Sequence, residues 1–294
     1  MLTYDISEID HCRSLESFLT NLLPGAPRSY LAKLVKSGHV TVNGIPASLT
    51  SRLFIDNLVA LKESARTLEL RKNPPAPLDR LYSDNRITAF NKPAGMPMHR
   101  AAEVTDHNLV DLANDLREAC GESGSFRPVN RLDRGTSGVV LLARDSRSAG
   151  MFGRVVKEEG LGKVYLAMVA GRLPQEGVID VPLEGKESST RYRTLYQQGG
   201  TALAAVWPVT GRMHQIRLHF RAIGHPILGD TRYGGPELSD CPGFALHSFR
   251  TRLNHPETGA PLDICAPLPP EFIALVRRMA GEQTRQLLLS LADI

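Results

Sequence analysis

Chemistry is concentrated between Pro128 and Asp145, where the chain reads Pro-Val-Asn-Arg-Leu-Asp-Arg-Gly-Thr-Ser-Gly-Val-Val-Leu-Leu-Ala-Arg-Asp. Asp133 stands between Arg131 and Arg134. A carboxylate so placed could serve as a nucleophile or base, or simply hold an arginine on a surface turn. Gly135 and Gly138 give the backbone freedom for a tight turn, within which Thr136 and Ser137 can hydrogen-bond. The apolar run from Val139 to Ala143 has the length and β-branched start of a buried strand. Asp133 is therefore expected on a rigid loop at a strand's edge, where catalytic groups are often found.

Composition narrows the classes. At 294 residues the chain can form one large domain and a small one. The amino terminus lacks the order of a signal peptide, and no apolar run approaches the ~18 residues of a membrane helix. The four cysteines, at 12, 120, 241 and 265, show no paired spacing, which fits a reducing, cytoplasmic setting. A net charge of +4 is compatible with a nucleic-acid partner without requiring one. His214, His219 and His225 lie close together, with His99 and His247 elsewhere, but the spacings fit no ligand pattern. No metal is expected. No phosphate-binding glycine loop is found either, so no cofactor is expected.

Several elements must position these groups. Arg28–Lys36 follows Pro27, a residue suited to the first position of a helix. In helical projection Tyr30, Leu31, Leu34 and Val35 share one arc, while Arg28, Lys33 and Lys36 share the opposite one. Gly38 should end this helix, and Val40-Thr41-Val42 should enter a turn at Asn43-Gly44. The prolines at 74, 75 and 77 make residues 71–79 an extended, semi-rigid linker. Strands are expected at Arg86–Phe90, Lys163–Gly171 and Ala202–Val209. A helix capped by Asp106 should run from about His107 to Cys120, and another from His214 to Ile223. The Leu287-Leu288-Leu289 tail reads as a terminal helix. Strand following strand predicts an α+β fold with a mixed, largely antiparallel sheet and flanking helices.

The segment SLESFLTNLL…PRSYLAKLVKSGHVTVNG resembles the small α/β RNA-binding domain first known from ribosomal small-subunit protein four. That likeness implies an S-four-like domain over 1–70, with Arg28, Lys33 and Lys36 gripping RNA. It weakens at Ile55-Asp56-Asn57, where the family more often has Gly-Asp, so the last hairpin is expected to differ.

Residues 80–294 resemble the RluA-type pseudouridine synthases. The segments that carry the likeness are NKPAGMPMH at 91–99, RPVNRLDRGTSGVVLLARD at 127–145, KVYLAMVAG at 163–171 and TGRMHQIRLHFRAIGHPILGDTRYG at 210–234. The resemblance implies the pseudouridine synthase fold and isomerisation of uridine in structured RNA, with large-subunit ribosomal RNA the expected target and transfer RNA the alternative. It also implies catalytic roles for Asp133, Tyr165 and Arg217. Asp133 would act at the ribose, as nucleophile at carbon 1′ or as base at carbon 2′. Arg217 would be its ion partner, and Tyr165 would stack on the base as a candidate acceptor of the carbon 5 proton. Arg131, Thr136 and Ile216 are expected at the substrate, Arg131 either filling the gap left by the flipped base or contacting phosphate. Lys163 reads as a structural or phosphate-binding charge, and the histidines as packing residues and RNA contacts. Asn130 stands where the family usually has His, so altered local packing is expected there. The competing readings are a non-catalytic RNA-binding or assembly factor, and a retaining hydrolase that would need a second carboxyl group. RNA is the expected partner of a monomer without membrane association.

Overall fold

The computed structural model describes residues 1–74, 76–99 and 108–294. The chain opens with β1 (Leu2–Asp5) and α1 (Leu15–Leu22), the helix starting where the Ser14 hydroxyl accepts from the Ser17 amide. Helix α2 (Arg28–Lys36) covers the expected residues, with Pro27 as its cap rather than its first helical residue. Strands β2 (Val40–Val42) and β3 (Ile45–Pro46) are joined by Asn43 and Gly44, at φ +53° and +77°. Two successive positive values are what a two-residue hairpin turn needs. Strand β4 (Leu58–Leu61) lies between β1 and β2, and Asp56 just before it sits at φ +69°. Leu15, Leu19, Leu31, Leu34, Val40, Val59 and Leu61 pack this part's own core. A short α3 (Ala65–Leu70), missed in the sequence, begins with reciprocal Ser64 and Thr67 capping bonds.

The larger sheet begins inside the expected linker, with β5 (Asp79–Ser83), and continues with β6 (Ile87–Lys92). Pro75 lies outside the described residues, as do Asp106 and His107. Helix α4 (Leu109–Ala119) is capped instead by Asn108, whose side chain accepts from the Asp111 amide. There follow β7 (Arg127–Pro128), β8 (Ser137–Ala143), α5 (Ser146–Glu158), β9 (Gly162–Ala170) and β10 (Glu176–Ile179). Next come β11 (Thr190–Gln198), β12 (Thr201–Pro208), α6 (Gln215–Ala222), β13 (Leu246–Asn254) and β14 (Pro261–Cys265). Helices α7 (Pro270–Ala280) and α8 (Thr284–Ser290) close the chain, Leu287 and Leu288 buried as expected of the tail. The strand order is β10–β11–β12–β9–β13–β8–β6–β5, with β14 on β13 and β7 on β8. Among the described residues only β8 and β13 pair in parallel, so the sheet is mixed and largely antiparallel. Among the described residues no helix is long and apolar enough to cross a membrane.

The β8–β13 contact fixes the centre of this sheet. All seven residues of β8 are buried. Gly138 has φ +112°, and a Cβ there would lie 2.2 Å from the Ser248 carbonyl oxygen, so only glycine permits the approach. Ser137 does not bond within its own turn as expected. Its hydroxyl meets His247 Nδ1 at 2.8 Å, and His247 Nε2 donates to the Ala266 carbonyl at 3.2 Å. Burial lowers the imidazole pKa from 6.5 to about 4 and so favours the neutral ring, against the Ala266 bond, which acts to raise it. The unfolded chain therefore binds this proton first as pH falls. Stability from this site is complete above pH 6.5 and drains away toward about 4. Denaturant melts across this range should show that loss, and His247→Gln should flatten it while lowering stability at pH 7.

Candidate active site

The Asp133 loop is anchored on both flanks. Behind it, the Asn130 amide donates to the Val139 carbonyl at 3.2 Å and accepts from the Leu141 amide at 2.7 Å. Asn130 thus clamps the loop onto β8. In front, the Thr136 amide closes a turn on the Asp133 carbonyl at 3.1 Å. Lys92, fully buried, donates to the carbonyls of Pro93, Met96 and Arg134 at 2.8, 2.8 and 3.1 Å. Burial pushes its pKa down to about 7, while the Asp133 charge acts in the opposite sense. Three acceptors match the three donors of an ammonium. The Gly95 amide and the Arg134 side chain add two further bonds between the same loops, each 2.8 Å.

Helix α6 supplies the counter-charge. His214 precedes it at φ +53°, an uncommon conformation for a residue with a side chain. Arg217 Nη1 donates to Asp133 Oδ2 at 2.9 Å, and its Nε and Nη2 grip Asp230 at 2.7 and 2.8 Å. Burial alone would lower the Arg217 pKa, but the bonds to Asp230 and Asp133 outweigh it and raise the value. The guanidinium also lies over the rings of Phe244 and Tyr233, 4.2 and 4.7 Å from their centroids. Phe244 can reach this position because Gly135 has no side chain: a Cβ there would meet its ring at 2.5 Å. His214 Nδ1 shares a 2.8 Å hydrogen bond with the Tyr233 hydroxyl, and its Nε2 lies 3.8 Å from Asp133 Oδ1. Arg221, one turn beyond Arg217, is exposed.

Tyr165 projects from β9 into the same place. Its pKa rises to about 12, through burial first and then the Asp133 charge. At neutral pH it is an aromatic surface and hydroxyl donor, not a resting phenolate base. Asp133, Tyr165, Arg217, Arg131, Thr136 and Ile216 all line one cavity of about 340 Å³. Six expected residues are thereby brought together. Arg28, Lys33 and Lys36 lie apart from it on α2, and Arg28 is not a free cation: it makes two bonds to the buried Glu16, at 2.8 and 3.1 Å. Only Lys33 and Lys36 keep the expected open, basic character. Among the histidines, His219 bonds Thr190 and Val181, and His225 bonds the Ala170 carbonyl.

Asp230, Tyr233, Lys92 and the approach of His214 to Asp133 were missed as site features. All four residues stand inside recognised segments, so the signal was present in GHPILGDTRYG, NKPAG and TGRMHQIRL. Phe244, outside those four segments, gave no comparable signal.

A family model described as RNA pseudouridylate synthase matches residues 86–222. An RNA pseudouridine synthase of Aquifex aeolicus, itself uncharacterized, is 34% identical over 249 residues, 75% of this chain and 76% of that protein. The ribosomal large subunit pseudouridine synthase C of Buchnera aphidicola subsp. Schizaphis graminum is 30% identical, over 88% of this chain and 91% of its own. The solved structure of human RNA pseudouridylate synthase domain containing 1 superposes with a TM-score of 0.53 at 26% identity, covering 68% of this chain and 89% of the human one.

The Arg217 clamp generates a stability prediction. Asp230→Ala would leave a buried guanidinium without two of its bonds, which should cost about 3–5 kcal/mol. Urea unfolding should show this as a lower midpoint with an unchanged slope.

Proposed function

The chain belongs to the RNA pseudouridylate synthase family, whose members isomerise uridine in RNA, and from that premise we propose that its target is large-subunit ribosomal RNA. The names of the relatives support this choice of RNA. The reaction breaks the bond from carbon 1′ to nitrogen 1, turns the base, and rejoins it through carbon 5. Neither oxidation nor an energy-rich nucleotide is called for.

Asp133 is the group that acts at the ribose, and the observation that carries this is its bond to Arg217. The guanidinium occupies Oδ2, which leaves Oδ1 to face the substrate as nucleophile or base. Tyr165 offers its ring to the extruded uracil, and Thr136 and Ile216 help enclose it. Arg131, exposed at the rim, fills the place the base has left or holds a phosphate. Residues 1–70 serve as an S-four-like RNA-binding domain joined by 71–79 to the catalytic domain at 80–294. The resemblance of this front part to that family supports the assignment, as do the exposed Lys33 and Lys36. A monomer acting in the cytoplasm completes the reading.

Tritium release from ribosomal RNA carrying 5-tritiated uridine tests the central assignment. Asp133→Asn keeps the shape but not the charge, so turnover should fall by at least about 10³-fold while RNA affinity stays near normal. A folded Asp133→Asn protein that still releases tritium at an appreciable rate would sink it. The wild-type protein should label large-subunit RNA in preference to transfer RNA.

The front module has its own test. Lys33→Glu with Lys36→Glu should weaken binding and flatten its salt dependence by roughly one phosphate contact per lysine. Single-turnover chemistry at saturating RNA should hardly change. An unaltered salt slope would assign those lysines elsewhere.

A further inference from the structure

Lys163 stands at the start of β9, two residues before Tyr165. Side chains alternate along a strand, so both emerge on one face, their Cα atoms roughly 6.6 Å apart. Both line the cavity that holds Asp133. The walls beside them include Val156, Leu161 and Val209, which carry no acceptor side chain. Among the described residues the Lys163 side chain has no hydrogen-bond or ion-pair partner. Burial accordingly lowers its pKa, with no opposing charge to restore it. Lys92, the fully buried lysine near Asp133, has by contrast all three donors satisfied. Lys163 is half-buried, and a cation partly withdrawn from water without a counter-charge weakens the fold, a cost commonly retained where a ligand supplies the missing charge.

Two parts of a nucleotide could supply it, the phosphate and the base. Arg131 and Arg212, both exposed on the cavity's rim, suit a phosphate that remains in water. Lys163 shares its strand face with the tyrosine ring and sits among apolar walls, which suits the base. We propose that Lys163 donates to a carbonyl oxygen of the target uracil and stabilises the negative charge the base carries once its bond to carbon 1′ breaks. The electron pair of that bond goes to nitrogen 1 and spreads to the two carbonyl oxygens. Carbon 1′ is satisfied either by an ester bond to Asp133 or by transfer of the 2′ proton to Asp133, which later returns it. Carbon 5 then bonds to carbon 1′, which frees the Asp133 carboxylate or draws the 2′ proton back from it, and the base is neutral again. Carbon 5 finally gives its proton to water while nitrogen 1 takes one up, so no net proton is consumed. No oxidant or reductant is consumed. An interaction that strengthens as charge develops accelerates the step instead of merely tightening binding.

The inference rests on the roles given above to Asp133 and Tyr165. Its test is single-turnover isomerisation with Lys163→Met and Lys163→Arg at saturating RNA. Lys163→Met should lower the rate about 10²-fold, the size of effect seen when one oxyanion donor is lost. RNA half-saturation should move little, and the melting temperature should hold or rise. Lys163→Arg, which keeps the charge, should recover much of the rate. Repeating the comparison on RNA with 5-fluorouridine at the target, whose base is the better anion, should shrink the Lys163→Met defect, read there as loss of the carbon 1′–nitrogen 1 bond because carbon 5 has no proton to release. A defect confined to half-saturation, and equal on both RNAs, would assign Lys163 to the phosphate and overturn the proposal. So would an unchanged rate. If Lys163→Met is inactive through misfolding, its melting curve will show that, and Lys163→Arg then decides: wild-type behaviour on both RNAs supports the charge, and a lost rate with intact folding opposes it. Asp133→Asn, run alongside, separates the two readings, since activity there fails the catalytic assignment itself.

Discussion

A guanidinium with almost no access to water has to find acceptors for its donors inside the protein, and Arg217 finds them on two carboxylates from different parts of the chain. Asp230 takes two of its bonds and Asp133 one. The division matters: the fork-shaped grip of Asp230 fixes the plane of the group, so the remaining donor points in one direction. Asp133 is thereby held through one oxygen. The ion chain is stabilising only if every member is present, because any one removed leaves a charge buried without its partner.

Much of the surrounding architecture follows from keeping that chain in register. The loop bearing Asp133 is bonded to β8 through Asn130 and to the Lys92–Met96 turn through Lys92 and Arg134. The aromatic faces against Arg217 depend on residues that lack side chains. Gly135 leaves room for the Phe244 ring, and a Cβ on Gly243 would lie 2.4 Å from the Gly135 carbonyl oxygen. Here glycine is needed for close approach, not for an unusual φ. Rigid support of this kind is what lets a charged group act without first reorganising its surroundings.

The front part is tied to the large sheet by polar contacts and by Cys12, Phe54 and Ile55, which pack into the large core. Arg13 makes two bonds to Asp79, at 2.7 and 3.0 Å, and Asn21 adds a third at 2.7 Å. The Ser17 hydroxyl donates to the Arg80 carbonyl, and Arg28 lies over the Tyr82 ring. Asp79 is the first residue of β5, so the end of the proline-rich stretch is itself the docking point. A helix whose cationic face looked wholly solvated thus uses its first arginine inward, on Glu16, and keeps its later lysines outward.

Local order was legible in the amino-acid sequence because its causes are local. Helix α2, the Asn43-Gly44 turn, the buried strand β8 and the terminal helix follow from periodicity, turn chemistry and apolar runs over a few residues. The recognised segments also singled out Asp133, Tyr165 and Arg217, whose shared cavity the fold then supplies. Only the tertiary structure decided which groups meet. Arg217 and Asp133 are 84 residues apart in the chain, and Ser137 and His247 are 110 apart. No spacing rule reaches that far, since such pairs depend on strand order and on the parallel β8–β13 contact. The same holds for Arg28, whose charge looked available for RNA until Glu16 on α1 was found beside it, and for Lys163, whose isolation is a property of the cavity around it. Side-chain type sets what a residue can do, while burial and the nearest opposite charge decide what it does.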